Sequence, residues 1–264
     1  MKILTININS IRAHIESFMA IIDSREYDVI CVQELKCEDS QFPHNFFEMS
    51  GYNVRVYGQK TYNGVAIFSK FSIEDVIRGL PTFPTDVNAR FMECVIDGHI
   101  RLINVYMPNG EHIDSPKYPY KVEWMEKFGE YIDQYRNSEE PVIITGDFNV
   151  AITDEDVWNP RAIEGSSITA IPTRKIMQEW LDKGWTDEWQ RTNQQASTPN
   201  SRFTWYDYRG HDTVGHGHGM RLDYFLTNKT AGQMGKSCYV DIAPRMATKP
   251  TDHTGLVLEL NRKD

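Results

Sequence analysis

Two polar side chains, Asp147 and Asn149, follow a run of apolar residues and are separated only by Phe148. Residues 142–145 are mostly β-branched and follow Pro141, a pattern that predicts a buried strand entered from a turn. Residues two apart in an extended chain point to the same side. A carboxylate and a carboxamide are therefore expected to face one spot, where they could share a phosphate, a water or a cation. Alone, the pair also fits an Asx turn that closes a strand.

Other apolar runs in the chain also end in acids and amides. The polar residues at predicted strand ends are Asn7, Glu34, Tyr106, Asn109, Asp147, Asn149, Asp223, Asp252 and His253. Turn chemistry explains each one singly, but not their convergence on one edge of a sandwich. Together they supply oxygen ligands without thiolates, which suits Mg²⁺ or Mn²⁺ better than zinc. They also supply one imidazole beside two aspartates, and no serine-nucleophile elbow, P-loop or HExxH motif competes for the role.

The elements that must position these side chains are mostly short strands. The sequence predicts strands over residues 2–8, 28–33, 54–58, 65–69, 90–96, 100–107, 141–149, 202–206, 220–226, 237–242 and 256–260. It predicts helices over 11–23, with Ser10 as N-cap, and over 121–137 and 173–183. The long connection 151–172 is typical of a functional or disordered loop. Hairpins buried on both faces indicate two sheets packed face to face with helices outside, in one domain over residues 1–264.

Composition bounds the class of protein. The chain has 264 residues, 40% of them hydrophobic, which is ample for a packed core. No apolar run approaches the length of about 18 residues that a membrane span needs, and residues 1–6 enter a strand pattern without signal-peptide anatomy. The four cysteines fall in no CxxC spacing, which favours reduced thiols in the cytoplasm over disulfides or zinc.

The charge balance bears on the partner. The net charge of −9 argues weakly against nucleic acid, although carboxylates that bind a divalent cation contribute to that sum. The residues that could form a local basic rim are Lys36, Lys60, Arg90 and Lys121. The segment 210–219 contains His211, His216 and His218. It could bind a transition metal, but a flexible polar loop is the favoured interpretation.

The chain carries a set of motifs in the order and spacing of a known family. These are Asn7-Ile8-Asn9, Gln33-Glu34-Leu35-Lys36, Tyr106-Met107-Pro108-Asn109-Gly110, Gly146-Asp147-Phe148-Asn149, Arg221-Leu222-Asp223-Tyr224 and Thr251-Asp252-His253. With them the chain resembles the exonuclease III family of apurinic/apyrimidinic endonucleases over nearly its whole length. The Gly-Asp-Phe-Asn and Asp-His motifs alone would mark only the wider endonuclease/exonuclease/phosphatase superfamily. Residues 58–60, 156–160 and 203–208 point to the DNA-repair branch.

The resemblance implies roles around a cation and a water. Glu34 is expected to bind the cation, with Asn7 and Asp252 close to it. Asp147 positions or deprotonates the attacking water, and Asn149 holds that water or a phosphate oxygen. Asp147 and Asn149 are also expected to contribute to the metal site.

The same resemblance implies roles around the phosphate. Asp223 orients His253, which donates to the phosphate oxygen where negative charge builds. Tyr106 touches the phosphate and assists the leaving oxygen, while Asn109 and Lys36 contact the DNA. The chemistry is an in-line displacement of an alkoxide by water at phosphorus, with cation and donors stabilising the transition state.

Damage recognition needs a separate device, because every phosphodiester looks alike to the metal site. Trp205, Met220 and Leu222 match family positions that wall a pocket for a flipped-out, baseless sugar, although Trp205 could also be ordinary core. Arg209 is expected to reach into the duplex or to a phosphate. Glu111 departs from the family, since some members carry a DNA-contacting basic residue there.

The resemblance implies an α/β fold, a four-layer αββα sandwich of two mixed β-sheets. It also implies Mg²⁺-dependent cleavage, with Mn²⁺ as substitute, of the phosphodiester 5′ to an abasic site. The 3′→5′ exonuclease and 3′-phosphatase activities would accompany it in varying proportion. The expected partner is double-stranded DNA with abasic sites or blocked 3′ ends. The protein is expected to be a cytoplasmic monomer that does not bind membranes.

Two other functions remain open from sequence. One is a phosphoesterase of the same superfamily that acts on a lipid headgroup or an inositol phosphate. The other is a DNA- or protein-binding module with a decayed site, which is disfavoured because none of the polar positions is lost. The sequence does not decide the ratio of the DNA activities, or whether one metal ion acts or two.

Overall fold

The computed structural model describes residues 1–193, 198–208 and 213–261. Within these ranges the chain forms fourteen strands: β1 (Lys2–Asn7), β2 (Val29–Gln33), β3 (Asn53–Tyr57), β4 (Val65–Ser69), β5 (Ile73–Arg78), β6 (Phe91–Ile96), β7 (Ile100–Tyr106), β8 (Val142–Asp147), β9 (Thr186–Asp187), β10 (Trp205–Tyr206), β11 (Gly219–Met220), β12 (Asp223–Thr227), β13 (Gly235–Asp241) and β14 (Gly255–Leu260). The α-helices of the same ranges are α1 (Ile15–Ser24), α2 (Tyr118–Ile132), α3 (Ile171–Asp182), α4 (Glu188–Thr192), α5 (Lys229–Gly232) and α6 (Ala243–Met246).

The strands form two six-stranded sheets and one short ribbon. The first sheet has the order β13-β14-β1-β2-β4-β3, the second the order β5-β6-β7-β8-β12-β9, and β10 pairs with β11. Both large sheets are mixed, because β1 runs parallel to β2 and β7 parallel to β8 while the remaining pairs are antiparallel. A hydrogen bond from Asn7, which ends β1, to Asp147, which ends β8, brings the carboxyl ends of the two parallel pairs to the same edge of the sandwich.

Three apolar layers hold the sandwich together. Between the sheets, side chains such as Ile3 and Ile67 of the first pack with Cys94 and Leu102 of the second. A second layer joins α1 to the outer face of the first sheet, and a third joins α2 and α3 to the outer face of the second. Strands buried on both faces explain why the sequence shows continuous apolar runs instead of alternation. The predicted four-layer αββα sandwich is confirmed.

The predicted start of the first helix is wrong. Ser10 does not cap it, because α1 begins at Ile15 with His14 as its N-cap residue. Asn9 and Ser10 adopt positive φ angles of 47° and 95°. The backbone N–H of Ser10 instead donates to the carbonyl of Glu34, so this segment ties the end of β1 to the end of β2.

Two strand predictions also need correction, and one strand was not predicted. The strand predicted over 220–226 is two strands, because Arg221 and Leu222 carry the chain from β11 in the ribbon to β12 in the second sheet. The strand predicted over 202–206 is reduced to Trp205–Tyr206. Strand β5 went unpredicted because it is an edge strand with four of its six residues exposed, which leaves little apolar pattern.

A buried ion-pair network fixes the long loop after β8. Arg221, only 2% exposed, donates from Nε to Asp156 at 2.8 Å and from its guanidinium to Asp187 at 2.6 Å. Burial alone would raise the pKa of Asp156. The Arg221 guanidinium lowers it by more than burial raises it, so the net pKa lies below its usual value. The loop itself contains two 3-10 turns, Asp154–Asp156 and Pro160–Ile163. It is therefore ordered, and it is tied to the junction of β11 and β12.

Two further features bear on the expected class of protein. In the part of the chain that the structure describes, no helix is long and apolar enough to cross a bilayer. Cys31, Cys37, Cys94 and Cys238 are buried free thiols. Strands β1 and β14 pair side by side, an arrangement that suits a single domain, although the domain boundary at residues 1 and 264 stays a prediction.

Candidate active site

The polar residues predicted at strand ends lie together at one edge of the sandwich. Asn7 ends β1, Glu34 directly follows β2, Tyr106 ends β7, Asp147 ends β8 and Asp223 begins β12. The strand register fixes three of them relative to one another, because Asp147 lies between Tyr106 on one side and Asp223 on the other. The two sheets thus bring their polar ends to one site.

Asn7 links the two sheets at this edge. Its amide nitrogen donates to Glu34 at 2.8 Å and to Asp147 at 3.0 Å, and its amide oxygen accepts from the backbone N–H of Asn9. The amide therefore holds the two carboxylates, one from each sheet, at a fixed separation. In this orientation it presents N–H groups, not its oxygen, to the carboxylates.

His253 lies between two aspartates. Its Nδ1 donates to Asp223 at 2.8 Å, and its Nε2 lies 3.7 Å from Asp147. All three side chains are 4% exposed or less. Thr204 supports Asp223 from behind, since its hydroxyl accepts from the backbone N–H of Asp223 at 3.0 Å; the sequence analysis did not identify this residue.

Burial and charge shift the proton affinities of this trio. Burial alone lowers the pKa of His253, but the carboxylates of Asp223, Asp147 and Asp252 raise it, and the net pKa is about 10. Burial also raises the pKa of Asp147; His253 opposes that change, while Asp223 and Glu34 reinforce it. The imidazole is therefore a protonated donor at neutral pH, and Asp147 is a carboxylate of raised basicity beside it.

The backbone around Asp147 is unusually constrained. Gly146 has a φ of +137°, and a Cβ there would lie 1.9 Å from the carbonyl oxygen of Val105, so β7 and β8 can approach only with glycine at this position. Beyond the strand end, Asn149 has a φ of 52° and donates its backbone N–H to Asp147 at 2.9 Å. Glu34 also has a left-handed φ, of 56°. Left-handed non-glycine residues of this kind cluster at functional sites.

Asn149 and Asn109 form a second amide pair. The amide of Asn109 donates to Asn149 at 2.9 Å, and that of Asn149 donates to the carbonyl of Met107 at 3.0 Å. These bonds join the loop after β7 to the loop after β8. Asn109 therefore lies beside Asn149 at the rim of the site.

Tyr106 lies across the site from His253. Burial raises the pKa of its phenol well above the usual value, and the charges of Glu34 and Asp147 raise it further. The phenol therefore stays protonated and remains a hydrogen-bond donor. Arg90 stacks over its ring, with 5.0 Å between the guanidinium carbon and the ring centre.

Lys36 and Asp252 lie at the margin. Lys36 Nζ is 2.9 Å from Glu34 and also donates to Asn9. One carboxylate oxygen of Asp252 accepts from Asn9 and the other from the indole N–H of Trp205, each at 3.1 Å. Asp252 thus connects Asn9, which also accepts from Lys36, to the ribbon.

The donor set suits a hard divalent cation held largely by water. Mg²⁺ usually binds through one or two carboxylates and keeps several waters. Glu34 offers a partly exposed carboxylate at this edge, while Asp223 Oδ1, which has no hydrogen-bond partner among the described residues, lies on the His253 side of the site. In that same part of the chain, no three His, Cys, Asp or Glu side chains are arranged as a metal-binding cluster. A cage of protein ligands, as zinc prefers, is therefore not what these residues form.

The residues expected to wall the damage pocket also lie together. Met220 and Leu222 pack with Ala151 and Val157, and Trp205 lies against this cluster. Trp205 pairs with Met220 across the ribbon and forms a β-bridge with His253. Arg209 lies outside the described residues.

Lys121 does not lie on a basic rim, and that prediction is wrong. Its side chain is fully buried, and its ammonium donates to the backbone carbonyls of Asn149 at 2.5 Å and Asn109 at 3.0 Å. Burial lowers the pKa of Lys121 to about 7, against the opposing effect of Asp147. The signal was present in the sequence, because Lys121 is three, four and seven residues before Trp124, Met125 and Phe128, all on one helical face.

Comparison with known proteins identifies the family of this chain. Residues 4–253 match the Endonuclease/Exonuclease/phosphatase family. Exodeoxyribonuclease III of Haemophilus influenzae is 30% identical over 98% of this chain and 99% of its own.

Two solved structures share the whole fold. An AP endonuclease from Archaeoglobus fulgidus superposes with a TM-score of 0.92 at 34% identity, covering 99% of this chain and 100% of its own. The 3′ phosphatase NExo from Neisseria, bound to a product DNA hairpin, gives a TM-score of 0.92 at 32% identity with the same coverage. The chain therefore belongs to the endonuclease/exonuclease/phosphatase family, in its exonuclease III branch.

Proposed function

We propose that this protein hydrolyses the phosphodiester 5′ to an abasic site in duplex DNA and leaves a 3′-hydroxyl. In the proposal, 3′→5′ exonuclease and 3′-phosphatase activities share the same site. The support is twofold: relatives of matching length carry the names exodeoxyribonuclease III, AP endonuclease and 3′ phosphatase, and the site has the groups that a phosphoester hydrolase needs.

The observation that carries the proposal is the position of His253 between Asp223 and Asp147. An imidazolium with raised pKa, buried and oriented through Nδ1, can donate from Nε2 to a phosphate oxygen as negative charge develops there. A carboxylate 3.7 Å from that nitrogen can hold or deprotonate a water on the same phosphorus. The pKa of Asp147 is raised by burial, which brings its basicity closer to that of an effective general base.

The other roles follow from contacts. Tyr106, protonated and beside Asp147 in the strand register, is suited to donate to the phosphate or to the leaving oxygen. The backbone N–H of Asn149 orients the Asp147 carboxylate, and its side chain holds Asn109 toward the substrate. Asn7 keeps Glu34 and Asp147 together.

We assign the cation to Glu34, on the side of the site away from His253, with Asn7 and Asp252 as supporting residues. A bound Mg²⁺, or Mn²⁺ in its place, would supply Lewis-acid stabilisation of charge on the phosphate. Asn7 and Lys36 fix the orientation of the Glu34 carboxylate. Lys36 also brings a positive charge to the place where the DNA backbone would pass.

Substrate recognition is proposed to use the opposite side of the site. Met220, Leu222 and Trp205 form an apolar wall joined to His253 through the Trp205 bridge. A wall of that kind accepts a deoxyribose and excludes an attached base by volume, and an abasic nucleotide costs least to extrude. The proposed partner is double-stranded DNA with abasic sites or blocked 3′ ends, bound by a monomer in the cytoplasm.

One digest tests the proposal against its alternatives. A 5′-end-labelled duplex with one central abasic analogue, sampled over time with Mg²⁺, should first give a single fragment cut 5′ to the analogue. Shorter products should follow as the exonuclease acts. A soluble phosphoinositide under the same metal and pH should be inert. Turnover of the phosphoinositide with an intact duplex would establish the phosphoesterase alternative, and binding of the duplex without cleavage would establish a binding module.

A further inference from the structure

An exposed aromatic stack lies beside the apolar wall. Trp158 and His218 stack with ring centres 4.1 Å apart and planes inclined by 24°. Trp158 is 41% exposed. All six tryptophans lie in the described part of the chain, and the others are buried or partly buried. Trp158 is therefore not core, and its indole stacks on the exposed imidazole of His218 at the protein surface.

The backbone connects this stack to the catalytic histidine by short steps. His253 bridges to Trp205, Trp205 pairs with Met220, and Met220 bridges to Val157, the residue before Trp158. The N–H of Trp158 also donates to the carbonyl of Gly219 at 3.0 Å. Three steps of about 4.8 Å place Val157 at most roughly 14 Å from His253, and Trp158 follows it directly in the chain. At a rise of about 3.4 Å per nucleotide, that distance corresponds to about four nucleotides of a duplex.

The chemistry of the surface indicates its ligand. An indole with one face covered by imidazole presents its remaining surface for stacking on another flat π-system. Stacking of unstacked or single-stranded bases on aromatic side chains tolerates any sequence, since every such base offers a π-face. The neighbouring loop is held to the ribbon at Gly219 and Met220, so the stack is fixed relative to the site.

We infer that Trp158, backed by His218, is a stacking subsite for a nucleobase of the substrate DNA that is displaced from the stack within about four nucleotides of the cleaved bond. The inference rests on the proposed function, because it places the DNA at the His253 edge. Its consequence is that this protein reads the presence of an intact flanking base as well as the absence of the target base. The apolar wall performs the second test and Trp158 the first.

The subsite is tested by combining substitution of Trp158 with deletion of single bases from the substrate. The substrates are end-labelled duplexes with one central abasic analogue and a second base deleted, in turn, at each of four positions on either side and on both strands. Fragment length reports cleavage at the central site. We expect Trp158→Ala to lower kcat/KM about 5- to 100-fold through KM. At one position, deleting the base should slow the wild-type enzyme to a similar extent and leave the variant unaffected.

Two further variants keep the test decisive. Trp158→Phe retains a π-face and should retain most of the wild-type KM, whereas Trp158→Leu retains apolar volume alone and should behave like Trp158→Ala. This pair decides the matter even if the alanine variant folds poorly. Phe46→Ala is the matched control, because Phe46 is 51% exposed on a 3-10 helix between β2 and β3, and it should leave KM unchanged.

The outcomes separate this inference from the proposed function. If the wild-type enzyme cuts the central site but Trp158→Ala has an unchanged KM, the subsite does not exist. The same conclusion follows if, at every position, base deletion slows the Trp158→Ala variant by the same factor as the wild-type enzyme. Equal activity of Trp158→Phe and Trp158→Leu would also overturn it. If the wild-type enzyme does not cut the singly abasic duplex at all, the proposed function itself fails.

Discussion

His253 and Asp223 are joined by a 2.8 Å hydrogen bond through Nδ1, which leaves Nε2 of the imidazole directed toward the Asp147 side of the site. Both side chains are buried, so the bond experiences little screening by water. Asp223 therefore has two effects on His253: it fixes the ring orientation, and it raises the pKa of the imidazole.

Asp223→Asn should change the pH profile as well as the rate. His253 is a donor only while protonated, so its contribution is present below its pKa and lost as pH rises through it. The pKa is about 10 with Asp223 present, and without that carboxylate it should fall toward the ordinary value of about 6.5. We expect the alkaline limb of kcat/KM to move to lower pH and the maximum to fall by about a hundredfold or more. An unshifted limb would contradict the assignment.

Asp147→Asn should leave the fold intact and cut kcat by at least about a hundredfold, the scale of a lost general base. The substitution is nearly isosteric in a residue that is 2% exposed. The amide oxygen of the new asparagine can still accept the hydrogen bond that Asn7 donates to Asp147. His253→Ala should cost a similar factor. Single-turnover rates and far-UV circular dichroism provide the measurement. Wild-type kcat with a native spectrum, in either variant, would show that its role is misassigned.

Activity should require Mg²⁺ or Mn²⁺ and disappear with EDTA, because the oxygen donors around Glu34 favour hard cations. Glu34→Gln should raise the Mg²⁺ concentration needed for half-maximal rate, as the carboxylate charge is lost. Glu48→Gln, which removes an exposed acid from another part of the surface, serves as the control. Activity with zinc alone, or full activity after exhaustive chelation, would contradict the assigned metal.

DNA binding should weaken steeply with salt despite the net charge of −9, because phosphate contacts release counterions. Lys60 is exposed on the loop between β3 and β4 and is the rim residue best suited to a test. Lys60→Ala should reduce the slope of log K against log salt by about one. Lys175→Ala on α3, in the outer helical layer, should not change it. A flat plot for the wild-type protein would argue against nucleic acid as the partner.

The sequence was informative where chemistry depends on strand ends. Asn7, Tyr106, Asp147 and Asp223 are the last or first residues of buried strands, and apolar runs locate such ends well. It was less informative beyond them. Asn149 was expected to continue an extended strand, yet β8 ends at Asp147 and Asn149 turns into the left-handed region. Local side-chain to backbone bonding, here from the Asn149 N–H to Asp147, decides that geometry.

Other features depended on packing that no local pattern reports. Lys121 was expected at the surface because lysine is rarely buried, but three backbone carbonyls surround its ammonium. The break between β11 and β12 follows from Arg221, whose guanidinium is held by Asp156 and Asp187 from distant parts of the chain. Residues brought together only by the tertiary fold supply both constraints.

Trp205→Ala should separate damage recognition from catalysis. Trp205 is only partly buried, pairs with Met220 and donates its indole N–H to Asp252 at 3.1 Å. If it walls the pocket for a baseless sugar, its removal should admit nucleotides that carry a base, so the preference for abasic over intact duplex should fall while metal binding and fold persist. The measurement is kcat/KM on both substrates, with Mg²⁺ titration and circular dichroism on the same samples. Trp205→Phe, which loses the bond to Asp252 but keeps an apolar ring, should retain the preference and thereby exclude the hydrogen bond as the cause. An unchanged ratio with both rates reduced together would mean that Trp205 is scaffold, and that abasic selectivity arises at another part of the site.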